Sequence, residues 1–114
     1  MTTERTTGDI VVLVTAAAAE EAERIATALV TERLAACVNI VGPIRSIYRW
    51  NDQVQHDAEL LLIIKTRAAL FAALDVRVRA LHSYATPEII ALPITAGAAA
   101  YVDWLHEATA PARI

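Results

Sequence analysis

The side chains able to do chemistry fall into two groups, and the first would be a soft-metal group. It starts from the single Cys37 and the three histidines His56, His82 and His106, because thiolate and imidazole are the ligands that copper and zinc favour. Spacing keeps them apart: neither His56 nor His106 stands at a ligand interval from His82 or from the other. His82 closes a helical pattern just before a loop. There an imidazole is either open to a metal or bonded to the last carbonyls of its helix, where the helix dipole favours it. Cys37 is either a soft ligand or a small buried hydrophobe, and no Lys, Arg or His stands beside it in sequence to favour the thiolate. His82 and Cys37 are therefore the candidate ligands for copper or another divalent metal.

The second group is a set of polar and aromatic residues attached to apolar strands: Arg49 and Trp50, Glu59 and Lys65, Tyr84 and Glu88. In an assembly of identical chains, the hairpin that carries the first four would approach the 84–88 loop of a neighbour and form equivalent intersubunit clefts. Carboxylate, ammonium, phenol and indole in one cleft suit a small ligand, or a metal bound through oxygen. They serve equally well as intersubunit ion pairs and aromatic anchors. Asp57 and Glu59 lie two apart on a strand and so share a face. No catalytic pattern accompanies them. The glycines at 8, 42 and 97 stand alone rather than forming a phosphate loop, and no turn presents Ser or Cys as a nucleophile. The chain reads as a binding or scaffold protein without an organic cofactor, not as an enzyme.

The elements that must position these residues are legible from periodicity. Residues 37–67 form a very long β-hairpin whose arms flank a polar tip at Asn51, Asp52 and Gln53. Each arm approaches a dozen residues where a strand typically has about five or six. Gly42-Pro43 interrupts the first arm and predicts a bulge or bend. Before the hairpin, the β-branched run 9–15 is a strand covered on both faces, followed by a helix over 16–34 with Ala22, Ile25, Ala26 and Leu29 on one side and Thr15 as the available cap. After it, Thr66 is the expected cap of a helix over 67–82 with a Leu70, Leu74, Val78 and Leu81 stripe. A strand over 88–94 with Pro93 at an edge follows, then a short helix bearing Tyr101, Trp104, Leu105 and Ala108.

This order is β-α-β-β-α-β plus a helix, an α+β ferredoxin-like sandwich with both helices on one sheet face. The other face is left apolar and bare, which a ring of copies, most simply three, would bury. A 114-residue chain with 56% apolar residues is one domain, here 9–109, with a frayed lead-in over 1–8 and a tail over 110–114. Its net charge of −3 and scattered basic residues exclude a phosphate-binding stripe, so nucleic acid is not an expected partner. Apolar runs of five residues exclude a membrane span of roughly 18. One cysteine agrees with a cytoplasmic location.

Five blocks now fall into order: Glu32-Arg33-Leu34-Ala35-Ala36-Cys37-Val38-Asn39, Ser46-Ile47-Tyr48-Arg49-Trp50, Leu62-Ile63-Ile64-Lys65-Thr66, His82 with Tyr84, Pro87 and Glu88, and Leu92-Pro93-Ile94. Over about 10–108 the sequence resembles the CutA divalent-cation tolerance proteins. The resemblance implies a cytoplasmic homotrimer of ferredoxin-like domains, similar in architecture to the PII signalling proteins and linked to tolerance of copper and other divalent metals. Two departures matter. Ser83 stands where the family usually has Pro, and Leu13 and Leu81 stand where its copper ligands include a Cys and a second His, so His82 alone is kept. The implied function is copper tolerance with weak metal binding. The alternatives are a PII-like small-molecule sensor using the clefts, or a trimeric interaction scaffold.

Overall fold

In the computed structural model, which describes residues 8–112, two residues at positive φ turn the chain back on itself. Asn51 (φ 52) and Asp52 (φ 61) are the left-handed pair that matches hairpin twist, and they join β2 (Cys37–Trp50) to β3 (Gln53–Arg67). The tip is thus two residues, and Gln53 already pairs with Trp50. The register slips between Val41 and Ile44, so the bulge falls at Gly42-Pro43 as expected.

The first strand, β1 (Asp9–Ala16), pairs antiparallel with β3 on one side and with β4 (Ile89–Pro93) on the other, giving the order β2-β3-β1-β4. Pro93 therefore ends an edge strand, where a missing N–H costs no ladder bond. Along β1 the residues alternate. Ile10, Val12, Val14 and Ala16 enter the core with Leu62 and Ile64, beneath α1 (Ala19–Thr31) and α2 (Phe71–Leu81). These residues bury Ile25, Leu29, Leu74 and Val78 completely. The fold is the ferredoxin-like split βαβ, with α3 (Ala99–Ala108) appended after the sheet.

Neither helix begins where sequence placed it. Thr15 belongs to β1, and α1 starts at Ala19, with Ala18 at the cap position offering no side-chain hydrogen bond. Thr66 also belongs to a strand, where its hydroxyl donates 2.7 Å to the carbonyl of Leu34; a 3-10 turn, Ala68–Leu70, separates β3 from α2. The end of α1 is better specified. Arg33 takes φ 61, and the N–H groups of Arg33 and Leu34 reach the carbonyls of Val30 and Leu29, a Schellman closure made without glycine. The expected lead-in lies outside the described residues except for Gly8, whose carbonyl accepts the Ala68 N–H. The described part of the expected tail is anchored at Ala110, whose carbonyl accepts from Arg33.

Two consequences bear on function. β1 covers β3 only from Leu60 to Arg67, so 53–59 and its partner 44–50 project as a two-stranded ribbon, with Ile47 62% exposed. The sheet face opposite the helices carries Val11, Leu13, Val41, Leu61, Ile63, Ile90 and Leu92. Ile90 and Leu92 are 51% and 47% exposed.

Candidate functional site

A single histidine organises the site. His82 follows α2, and its side chain is wholly buried. Nδ1 accepts the backbone N–H of Tyr84 at 3.0 Å, which fixes the proton on Nε2, and Nε2 then donates to the Thr15 carbonyl at 2.7 Å. The loop after α2 is thereby tied to the end of β1. It folds Tyr84 against the imidazole, ring centroids 4.7 Å apart, and sends the phenol across to Glu59, where Tyr84 donates to Oε2 at 2.8 Å. Burial first, and then the Glu59 carboxylate that accepts its proton, push the Tyr84 phenol well above its ordinary range, so it stays a neutral donor.

Around that hydrogen bond lies a cavity of about 620 Å³, within the range of small-ligand sites. Its walls come from the ribbon (Ser46, Tyr48, Trp50, Glu59), from the end of β1 (Thr15) and from the loop (Tyr84, Thr86, Glu88). The register puts Ser46, Tyr48, Trp50, Thr15 and Glu59 all on the open face of the sheet. Tyr48 donates to Asp57, its diagonal neighbour across the hairpin, and that bond raises its phenol too.

Of the six residues expected in a cleft, the structure brings four together: Trp50, Glu59, Tyr84 and Glu88. They meet within one chain, because the His82-to-Tyr84 bond turns the loop back over its own ribbon. Arg49 does not join them. It pairs with Val54, and strand alternation points it to the other face from Trp50. Lys65 does not join them either, since it is six residues along β3 from Glu59, about 20 Å at strand rise. It donates to Asn39 and lies 3.9 Å from the Cys37 sulfur, a cationic neighbour that sequence proximity had hidden. Burial, and then the nearby Cys37, raise the Tyr101 phenol at this end of the sheet. Thr15, Ser46, Tyr48 and Thr86 were not among the candidates. The i, i+2 spacing of Ser46, Tyr48 and Trp50 was the available signal.

The proposed metal ligands fare differently. Both nitrogens of His82 are engaged and its ring is enclosed. Cys37 pairs with Lys65 while Thr15, the partner of His82, pairs with Leu61, four residues or about 13 Å away along β3. His106 bonds Asp9 at 2.7 Å. Among the described residues no group of three His, Cys, Asp or Glu side chains has the placement of a metal site. The pair His82 and Cys37 therefore does not fit a bound copper ion.

Fold and site together define an open-faced ferredoxin-like protein with a ligand-sized pocket at the base of a projecting ribbon. The chain belongs to the CutA1 divalent ion tolerance protein family, whose model matches residues 10–108. It is 57% identical over 99 residues to the divalent-cation tolerance protein CutA of Thermus thermophilus, covering 87% of this chain and 96% of that one. The solved structure from the same organism superposes with a TM-score of 0.88, covering 90% and 99% of the two chains. A rice relative, named as chloroplastic, is 50% identical over 107 residues, 94% of this chain but only 60% of the rice protein. A structure from Archaeoglobus fulgidus, described as a periplasmic divalent cation tolerance protein, is 42% identical with a TM-score of 0.87, covering 90% and 99%.

The relatives correct one expectation. A cytoplasmic location does not follow for a family whose rice member is chloroplastic and whose Archaeoglobus member is called periplasmic. One cysteine carries too little redox information to fix a compartment. Among the described residues no helix is long and apolar enough to cross a membrane.

Proposed function

We propose that this chain acts in divalent-cation tolerance as a homotrimeric, non-catalytic sensor that binds a small molecule, rather than as a carrier holding copper on His82 and Cys37. The observation that carries the reading is the division of labour around His82. The imidazole spends Nδ1 on the Tyr84 N–H and Nε2 on the Thr15 carbonyl, and Tyr84 closes one wall of a cavity whose lining includes the buried Glu59. A histidine used in this way builds a ligand site and is not itself a ligand. The tolerance role is supported by the names of the relatives.

The trimer is supported by the open sheet face. Its aliphatic residues lie in a continuous row across all four strands, an arrangement that single chains rarely leave in water. Three copies closing a ring would bury these faces together and leave the pockets at its rim, since the ribbon that carries them extends past the part of the sheet that β1 pairs.

Two measurements test the reading. Sedimentation equilibrium at micromolar concentration should give three times the 12.3 kDa of the chain. A calorimetric copper titration should show no saturable site that depends on His82 or Cys37, while a thermal-shift screen of small cations, anions and neutral compounds should yield stabilising ligands. A monomer mass would remove the trimer. Stoichiometric copper binding abolished by Cys37→Ser or His82→Ala in a folded protein would restore the metal-carrier reading.

A further inference from the structure

The carboxylate of Glu59 is out of balance with its surroundings. The residue is only 8% exposed, yet among the described residues no Lys, Arg or His forms an ion pair with it, and its visible partner is the neutral Tyr84 hydroxyl. Buried charges are ordinarily paired, because desolvation disfavours an isolated ion strongly. The cavity walls sharpen the point. They include three aromatic rings, Tyr48, Trp50 and Tyr84, and a second carboxylate, Glu88, and no basic side chain. Aromatic faces present negative potential and attract cations, most strongly when water is excluded. A further acid, Asp57, sits just behind Tyr48 and holds its hydroxyl.

We propose that this pocket binds an organic ammonium ion. The charged nitrogen neutralises Glu59, and the carbon skeleton lies against Trp50 and Tyr48. This deepens the sensor reading above and rests on it. The volume, about 620 Å³, is far larger than a bare metal ion needs, and among the described residues no group of three His, Cys, Asp or Glu side chains has the placement of a metal site. An anion would meet Glu59 and Glu88 with nothing to offset them. A neutral ligand would leave the buried charge as it is. The aromatic walls hold the carbon portion, and the Glu59 carboxylate orients the nitrogen.

The experiment uses n-pentylammonium, n-pentanol and pentanoate, three probes of similar size and different charge, titrated calorimetrically into the assembled protein at neutral pH, with Trp50 emission followed in a Trp104→Phe background. Pentylammonium should saturate one site per chain and bind at least about ten-fold more tightly than pentanol, with pentanoate weakest. Glu59→Gln should lower the ammonium affinity by roughly ten-fold or more, since the buried charge is what the ligand neutralises. Should that variant misfold, Trp50→Leu and Glu88→Gln, both at exposed positions, must each weaken ammonium binding. Pentanol or pentanoate binding as tightly as pentylammonium overturns the cation assignment but leaves a ligand-binding pocket standing. Affinity unchanged in the pocket variants, or displacement of the ammonium by calcium at equal concentration, also overturns it. Failure of all three probes at millimolar concentration, with the assembly intact, sinks both the assignment and the sensor reading.

Discussion

Replacing His82 separates a structural histidine from a metal ligand, and the structure sets the size of the effect. In His82→Ala the Thr15 carbonyl loses a 2.7 Å donor, the Tyr84 N–H loses a 3.0 Å acceptor, and a wholly buried ring leaves a void beneath Tyr84. Each buried group left without a partner costs about 1–3 kcal/mol, with the Tyr84 side at the low end because that residue is near solvent and water can replace the ring. With the lost packing, the total is about 2–4 kcal/mol, or a fall of roughly 10 °C in Tm. His82→Phe retains a ring against Tyr84 and loses only the two hydrogen bonds, so it should fall between the wild type and alanine. The assay is calorimetric melting of all three proteins at one fixed concentration, because assembly makes Tm concentration-dependent. The same samples go into a copper titration. The expected pattern is graded destabilisation with copper heats that do not change. A melting temperature in His82→Ala within about a degree of the wild type would refute the account of the hydrogen bonds.

Three other outcomes follow from the structure. Leu92→Glu puts a charge on the open sheet face, in its edge strand β4, and should shift the sedimenting mass toward the monomer, whereas Val76→Glu, on an exposed face of α2, should not. All three tyrosines have phenols raised above their ordinary value of 10.0, so an absorbance titration should show little ionisation up to about pH 10. Above that pH the unfolded chain releases phenolic protons that the folded chain keeps, so the phenolic contribution to folding stability should be intact below about pH 10 and decline above it; early ionisation of two or more phenols would contradict the hydrogen bonds to Asp57 and Glu59. Gly42→Ala builds a methyl into the Leu60 side chain and within 3.2 Å of the Glu59 carbonyl, so it should cost about 1–3 kcal/mol in chemical denaturation and perturb the pocket through β3.

The order of the elements was legible in the sequence, because the change between a two-residue and a 3.6-residue hydrophobic period is a local property. The sequence also located the hairpin tip and the Gly42-Pro43 bulge, since turn geometry and a missing N–H act on their own residues. It did not fix the helix starts. Thr15 and Thr66 have capping side chains, but sheet pairing took both into strands, and the helices begin without caps because burial of Ile25, Leu29, Leu74 and Val78 stabilises them instead.

Side-chain partnership was decided only in three dimensions. Lys65 reaches Cys37 because antiparallel register sets positions 28 apart side by side. Glu59 and Lys65, six apart on one strand, read as neighbours in a list of polar residues, and strand rise puts them at opposite ends of the sheet. The folding of Tyr84 over its own chain rests on one nitrogen of His82, whose choice of the Tyr84 N–H over a metal depends on its burial beside Thr15. Periodicity carries elements, whereas a site depends on distances between them, and those exist only once the sheet has closed.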